Sequence, residues 1–511
     1  MPEKALKKLN SYILPQWRAC FLAAILVGLM AHLYKITGWL PNWDSLVFRY
    51  DPQNMIGLGR WFLPVACAVT SFYDLPFLNG IIAIVLHSIC AVLICKLLNI
   101  RSKVTAALIG AVIVSFPTVT SVMMYNYVAD GYSVAFLFST LAALFMTQEK
   151  PKYILSAILI AFSLGIYQAY ITVTIMLILI SLIGKIFFQK IQIKSLWKNI
   201  GLMLITGIGG AALYYGILKL LLSFSSATLL DYQGIGSTFA LSNIDLLASL
   251  YTIKETFIKC FFDISNGVNF YVVLNILIFL ITAFFYIKYL IKNKLYKSPL
   301  KMITAIFISA ILIVGAGVLA FINAQIDYHN LMLMGYSVFY IFLLLVYEKG
   351  TERKEKSIAI KRWIVLGLAL LVVANQIVIA NVSYHKAQMA YEKSYGVLVR
   401  IADRIEQTEK AEECSEILVI GALDDSKDYS VNLTPNITGI TDGYILRYDD
   451  ETVNQSVLCS ALNDYCGKNY SFISGKEKRT LESREDIKAL GKWPAKDSIA
   501  VVEDIIVIKL G

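Results

Sequence analysis

Runs of about 20 mostly apolar residues recur along the first 380 positions, and that length at 1.5 Å rise crosses a bilayer core of roughly 30 Å. Such runs must be helical, because lipid satisfies no backbone group. The composition agrees: 57% of the residues are hydrophobic, 16% are charged and the mean hydropathy is +0.64. A soluble domain of 511 residues could not hide that much apolar surface. We place spans near 19–37, 76–97, 104–121, 128–147, 152–166, 168–186, 199–222, 268–290, 301–321, 329–347 and 362–381. The fifth and sixth are separated only by Ser163, Leu164 and Gly165. The expected fold is a polytopic α-helical membrane protein of about eleven transmembrane helices with amphipathic helices in its outer loops, followed by a small C-terminal extracytoplasmic α/β domain.

Loop charge orients the set, because Lys and Arg near span ends are held in the cytoplasm. One set of alternate loops is basic: Lys4, Lys7, Lys8 and Arg18; Lys96, Arg101 and Lys103; Lys150 and Lys152; Lys185 to Lys198; Lys288 to Lys301; Lys349 to Arg362. The opposite set is richer in acids, among them Asp44, Asp51, Asp74, Asp130, Asp231, Asp245, Glu255, Asp263 and Asp327. The N-terminus is therefore expected inside, and an odd number of spans sends the C-terminus outside. The net charge of +10 is then mostly a cytoplasmic collar, with no nucleic acid implied. No small-residue cleavage site follows the first run, which reads as a retained span.

Residues 1–381 form the transmembrane domain, 382–410 a polar helical stalk, and 411–511 a small α/β domain. In that domain Glu416 to Ile420 reads as a strand and Val453 to Asp464 as a helix. Ser483 to Leu490 reads as a helix with Ser483 and Asp486 at capping-box spacing. Ser498 to Val502 and Ile505 to Leu510 read as a hairpin around Glu503-Asp504. Cys459 and Cys466 are placed either to form a local disulfide or to stand as free thiols, and no CxxC or Cys/His metal spacing occurs.

Two outer loops, Leu40 to Asp74 and Ser223 to Phe270, are too long for simple connections. Each carries an amphipathic stretch, Met55 to Val69 and Ile244 to Phe262. No Walker A loop, GxGxxG, HExxH or GxSxG points to soluble-enzyme chemistry. The outer loops instead bring to one expected membrane depth the stretches Asn42-Trp43-Asp44-Ser45-Leu46, Gly59-Arg60-Trp61, Asp130-Gly131-Tyr132, Tyr167-Gln168-Ala169-Tyr170 and Asp327-Tyr328-His329-Asn330.

With Leu164-Gly165-Ile166 ahead of Tyr167, the first four of these stretches in this order resemble the bacterial type II glucosyltransferases of the GT-C superfamily, most strongly over residues 30–185. The resemblance implies a bacterial plasma-membrane enzyme that adds a hexose, glucose above all, to O-antigen or related cell-surface polysaccharide or a teichoic-acid-like glycan. It also implies a donor carried on a polyprenyl phosphate, supplied by an upstream polyprenyl-phosphate sugar synthase and a flippase. A lipid-linked donor needs no nucleotide pocket, since its tail enters from the bilayer and its phosphate sits at headgroup level.

Each residue has a plain and a functional reading. Asp44 is a solvated end residue or, as the resemblance implies, the general base that takes the acceptor's proton. Asp130 caps a span or, as the second candidate catalytic acid, binds sugar hydroxyls or orients the acceptor. Together the two acids would let a divalent ion, Mg2+ or Mn2+, bind through oxygen ligands, although no DxD-like pair stands in the first loop. Arg60 pairs with Asp44, Asp51 or Asp74, or grips the donor phosphate. His329 is structural or donates to the same phosphate, and Trp43, Trp61, Tyr132, Tyr167, Gln168, Tyr170 and Tyr328 are belt aromatics and packing or a sugar platform. The competing function is a transporter or lipid-linked glycan flippase, which would place acids and broken helices at mid-membrane. A non-catalytic scaffold would leave the outer acids without a shared purpose.

Overall fold

Proline, which lacks an N–H and is preset for a first helical turn, opens many of the apolar helices. It starts α1 (Pro15–Ile36), α4 (Pro76–Leu97), α6 (Pro117–Met124) and α13 (Pro299–Ala316). The computed structural model describes residues 3–4, 11–41, 43–47, 55–189, 191–225, 227–230, 245–264, 269–350, 356–423 and 451–511. Lys7, Lys8, Asn42, Asp51 and Asp231 fall outside them. The chain forms two units: Met1–Thr37 with Pro52–Asn381, and Gly38–Asp51 with Val382–Gly511.

In the first unit α1 packs on α4 and on α5 (Lys103–Ser115), and α4 packs on α7 (Ala129–Thr147). Next, α7 packs on α8 (Tyr153–Ile166) and α9 (Ile171–Phe188), and α8 packs on α10 (Ile193–Phe224). Further helices are α11 (Leu246–Phe262), α12 (Phe270–Lys292), α14 (Val338–Gly350) and α15 (Lys356–Gln407). Small residues set the close crossings, since dispersion and not hydrophobicity holds helices together in lipid. A Cβ on Gly110 of α5 would collide with the Cys20 carbonyl of α1, and one on Gly210 of α10 would sit 2.8 Å from Ile160 of α8.

Among the described residues eight helices are long and apolar enough to cross a membrane, nine if α5 and α6 make one span. The third expected span bends by 42° where Pro117 interrupts the hydrogen-bond ladder. The fifth is α8, only 14 residues long. The tenth is helical only from Val338, because residues 330–337 wind in tight 3-10 turns. The eleventh does not stop at 381: α15 is 52 residues long in all and runs on to Gln407. Met55 to Val69 is not one amphipathic helix either. It folds as turns around Gly59, whose φ of +70° no helix accommodates, with only the short α3 (Leu63–Ala66) helical. The second amphipathic stretch does form, as α11, with Asp245 accepting from the Ala248 N–H at 2.9 Å as its N-cap.

The second unit has a four-stranded sheet in the order β2-β1-β4-β3: β1 (Glu416–Ile420), β2 (Ser471–Phe472), β3 (Ile499–Val502) and β4 (Ile505–Lys509). β1 runs parallel to both its neighbours, and β3 and β4 pair antiparallel. The β3–β4 turn places Glu503 and Asp504 both at positive φ, which matches the twist of a two-residue hairpin. The sheet is covered by α16 (Glu451–Cys466), α17 (Gly475–Glu482) and α18 (Glu485–Ala489). The capping box at Ser483 is absent: Ser483 ends α17, and Asp486 binds the Arg484 guanidinium at 2.7 Å and the Ile487 N–H at 3.0 Å. Cys459 and Cys466 stand as free thiols, and burial pushes both thiol pKa values up.

The segment 38–51 is woven into this second unit. Its short helix α2 (Trp43–Val47) lies against α16, and Leu46 is 2% exposed in one core with Val457, Leu458 and Ile506. The Trp39 indole N–H donates to the Tyr465 hydroxyl at 2.6 Å.

Candidate active site

The turn Gly59-Arg60-Trp61 lies against the break between α8 and α9. The Phe62 N–H donates to the Gly165 carbonyl at 2.7 Å, and the Arg60 N–H to Met55 at 2.7 Å. Trp61 fills the space that Gly165 leaves open, where a Cβ would approach the indole to 2.7 Å. Its ring packs on Phe62, Phe162 and Tyr214, so its packing role is explicit.

Arg60 is set among aromatics. Its Nη1 donates to the Tyr132 hydroxyl at 3.5 Å, and the guanidinium carbon stands 5.0 Å over the Tyr167 ring. Tyr132 and Tyr167 stack with centroids 4.8 Å apart. Such a shell desolvates the cation while the ring faces offset part of the cost. Of its expected acidic partners, Asp74 accepts from Asn126 at 2.8 Å.

A cleft of about 1240 Å3 runs from this point along α8, α9, α10 and α13. On α10 its lining extends from Trp197 to Leu218, about 32 Å at the helical rise, which is close to the thickness of a bilayer core. The walls are mostly Ile, Leu, Met and Phe, and Arg60, Gln168, Tyr214, Asp245, Asn323, Gln325 and His329 are among the residues that contribute polar groups. At the other end Trp197 and Phe307 meet with centroids 6.3 Å apart. His329 stands within electrostatic reach of Arg60 and Asp327.

Of the residues singled out from sequence, Arg60, Tyr167, Gln168 and His329 line this cleft. Tyr132 backs Arg60 from the α7 side. Asp130, 2% exposed, accepts from the Thr70 hydroxyl at 2.7 Å and from the Gly131 N–H at 2.9 Å. Both oxygens are engaged in tying the residue 67–70 turns to the start of α7. Among the described residues no three or more His, Cys, Asp or Glu side chains group as metal ligands. Tyr170 is 1% exposed and packs on Phe136 and Tyr167. Tyr328 donates to the Gly317 carbonyl at 2.7 Å and accepts from the Ala320 N–H at 2.9 Å, which secures the turns after α13. Asp44 is half-buried on α2 of the second unit, with Trp43 beside it in sequence.

Tyr214 of α10 is the residue that sequence reasoning missed. Its hydroxyl donates to the Gly59 carbonyl at 3.1 Å and accepts from Gln168 Nε2 at 3.1 Å. One tyrosine among 30, in a helix with no outer-loop motif, carried no signal of its own.

Residues 33–342 match a family model described as glucosyl transferase GtrII. No curated protein and no solved structure matches the chain.

Proposed function

We propose, from the premise that this chain belongs to the glucosyl transferase GtrII family, that it moves glucose from a polyprenyl-phosphate carrier to a cell-envelope glycan. The observation that carries the reading is the long apolar cleft with Arg60 set among aromatics. An isoprenoid tail fills the apolar length. Arg60, with its two-pronged guanidinium, binds the phosphate, and its charge stabilises the departing phosphate as negative charge develops. His329 donates to the same group.

The reaction is a single inverting displacement. The acceptor hydroxyl attacks the anomeric carbon, the bond from that carbon to the carrier phosphate oxygen breaks, and the acceptor's proton passes to a general base, the role that the family resemblance gives to Asp44. Tyr167 and Gln168 contact the sugar. The bilayer supplies the donor, and the transfer takes place on the outer face of the bacterial plasma membrane, where the C-terminal unit also lies. A flippase reading would call for ionisable residues along the cleft. Arg60, Asp245 and His329 are the ionisable residues of its lining and the rest is mostly apolar, which favours a held lipid tail over a polar cargo path.

The test is purified full-length protein in vesicles, offered either polyprenyl-phosphate glucose or a nucleotide-activated glucose, with a glycan acceptor. Transfer from the lipid donor alone, with inversion at the anomeric carbon read by NMR, is expected. Transfer from the nucleotide sugar, or retention of configuration, overturns the reading.

A further inference from the structure

We propose that Tyr214 is a positioning residue: it fixes the Gly59 carbonyl, and so sets where the Arg60 guanidinium meets the donor phosphate. This rests on the reading of Arg60 given above. Tyr214 is 6% exposed and lines the cleft.

Two consecutive carbonyls of the turn are held by one small network. Tyr214 donates to Gly59, while the Gln168 side-chain amide donates both to Leu58 at 3.2 Å and to the Tyr214 hydroxyl at 3.1 Å. Gly59 is required on two counts. Its φ is +70°, and a Cβ there would lie 2.5 Å from the Tyr214 hydroxyl. The tyrosine ring also stacks on Trp61, 24° from parallel with centroids 6.5 Å apart. Arg60 is thus flanked on both sides in sequence by residues that Tyr214 touches, and its charge acts on the Tyr214 hydroxyl. A transfer enzyme loses rate steeply when a charged group moves by about 1 Å, so a hydroxyl that fixes the preceding carbonyl acts on the phosphate through Arg60.

The experiment is a double-mutant cycle on the full chain, with farnesyl phosphate as the probe and binding read from tryptophan fluorescence. Tyr214→Phe keeps the ring on Trp61 and removes only the hydroxyl. In the wild-type background it is expected to weaken binding about 10-fold, and in an Arg60→Gln background less than about 2-fold, because there is no guanidinium left to misplace. Gln168→Leu should behave in the same way and should add little to Tyr214→Phe, which keeps the test open if either variant fails to fold. Equal weakening in both backgrounds, or none in wild type, overturns the proposal. If Arg60→Gln itself binds the probe as wild type does, the reading of Arg60 as the phosphate ligand fails instead.

Discussion

Charged residues near the membrane are costly, and in this chain the sequence alone does not show which of them are structural and which are working groups. Asp130 and Arg60 look alike on paper, each within two positions of a glycine and an aromatic residue. Asp130 turns out to have both oxygens engaged by Thr70 and Gly131. Asp130→Asn can satisfy only one of those donors and turns an NH2 toward the other. We therefore expect a loss of about 1–3 kcal/mol in stability, read as a lower melting temperature in detergent, with transfer by the folded fraction within a few-fold of wild type. Arg60→Lys keeps the charge but not the fork, so it should recover only part of the transfer that Arg60→Ala loses, measured as kcat/KM for the lipid donor. Asp44→Asn preserves shape but cannot take a proton. Near-unchanged melting and donor binding with a loss of about 100-fold or more in kcat is expected, and near-normal kcat would remove Asp44 as the base. Tyr167 and Gln168, which line the cleft, stood out because they sit where an apolar run ends, and Arg60 because it is a cation in an outer loop richer in acids. Tyr214 did not, because its role depends on a turn 155 residues away.

At the scale of elements, the sequence was most readable where one local rule dominated. The β3–β4 hairpin follows from alternation around Glu503-Asp504, and α11 from a 3.6-residue apolar stripe behind an Asp cap. It was least readable where backbone chemistry overrode hydropathy. Pro117 breaks an apolar run that hydropathy alone makes continuous, and positive φ at Gly59 turns an apparently amphipathic segment away from helix. The segment 38–51 posed a different difficulty, since its fold depends on partners more than 400 residues away, such as Tyr465. Leu46 is its anchor. Leu46→Ala should leave a cavity in the core it shares with Val457 and Leu458 and cost about 2–5 kcal/mol, seen as faster hydrogen exchange over α16. Unchanged exchange there would mean that α2 is only loosely attached to the second unit.

For the molecule as a whole, orientation turns on whether the short helices cross. At 14 residues α8 measures about 21 Å, well under a bilayer core, so length alone argues that it stops within the membrane. Loop charge argues the opposite, because Lys150 and Lys152 before α8 and Lys185 and Lys194 around the end of α9 are basic on both sides of the α8–α9 pair. If each helix crosses, those two basic loops share one face and residue 167 lies on the other. If α8 does not cross, the single passage of α9 puts the two basic loops on opposite faces. The Ser163 hydroxyl lies 2.8 Å from Ser139 and donates to the Ala135 carbonyl at 3.0 Å, which fixes the end of α8 against the middle of α7 and leaves loop charge to carry the orientation. We expect cysteines introduced at 151 and at 190 in a background whose native cysteines react with no probe to be protected from an impermeant maleimide in intact cells. A cysteine introduced at Gln407 should be labelled there, as the positive-inside pattern requires. Labelling of one basic loop but not the other would show that α8 turns back, and with it that the Arg60 end of the cleft does not face the compartment where the acceptor glycan is exposed.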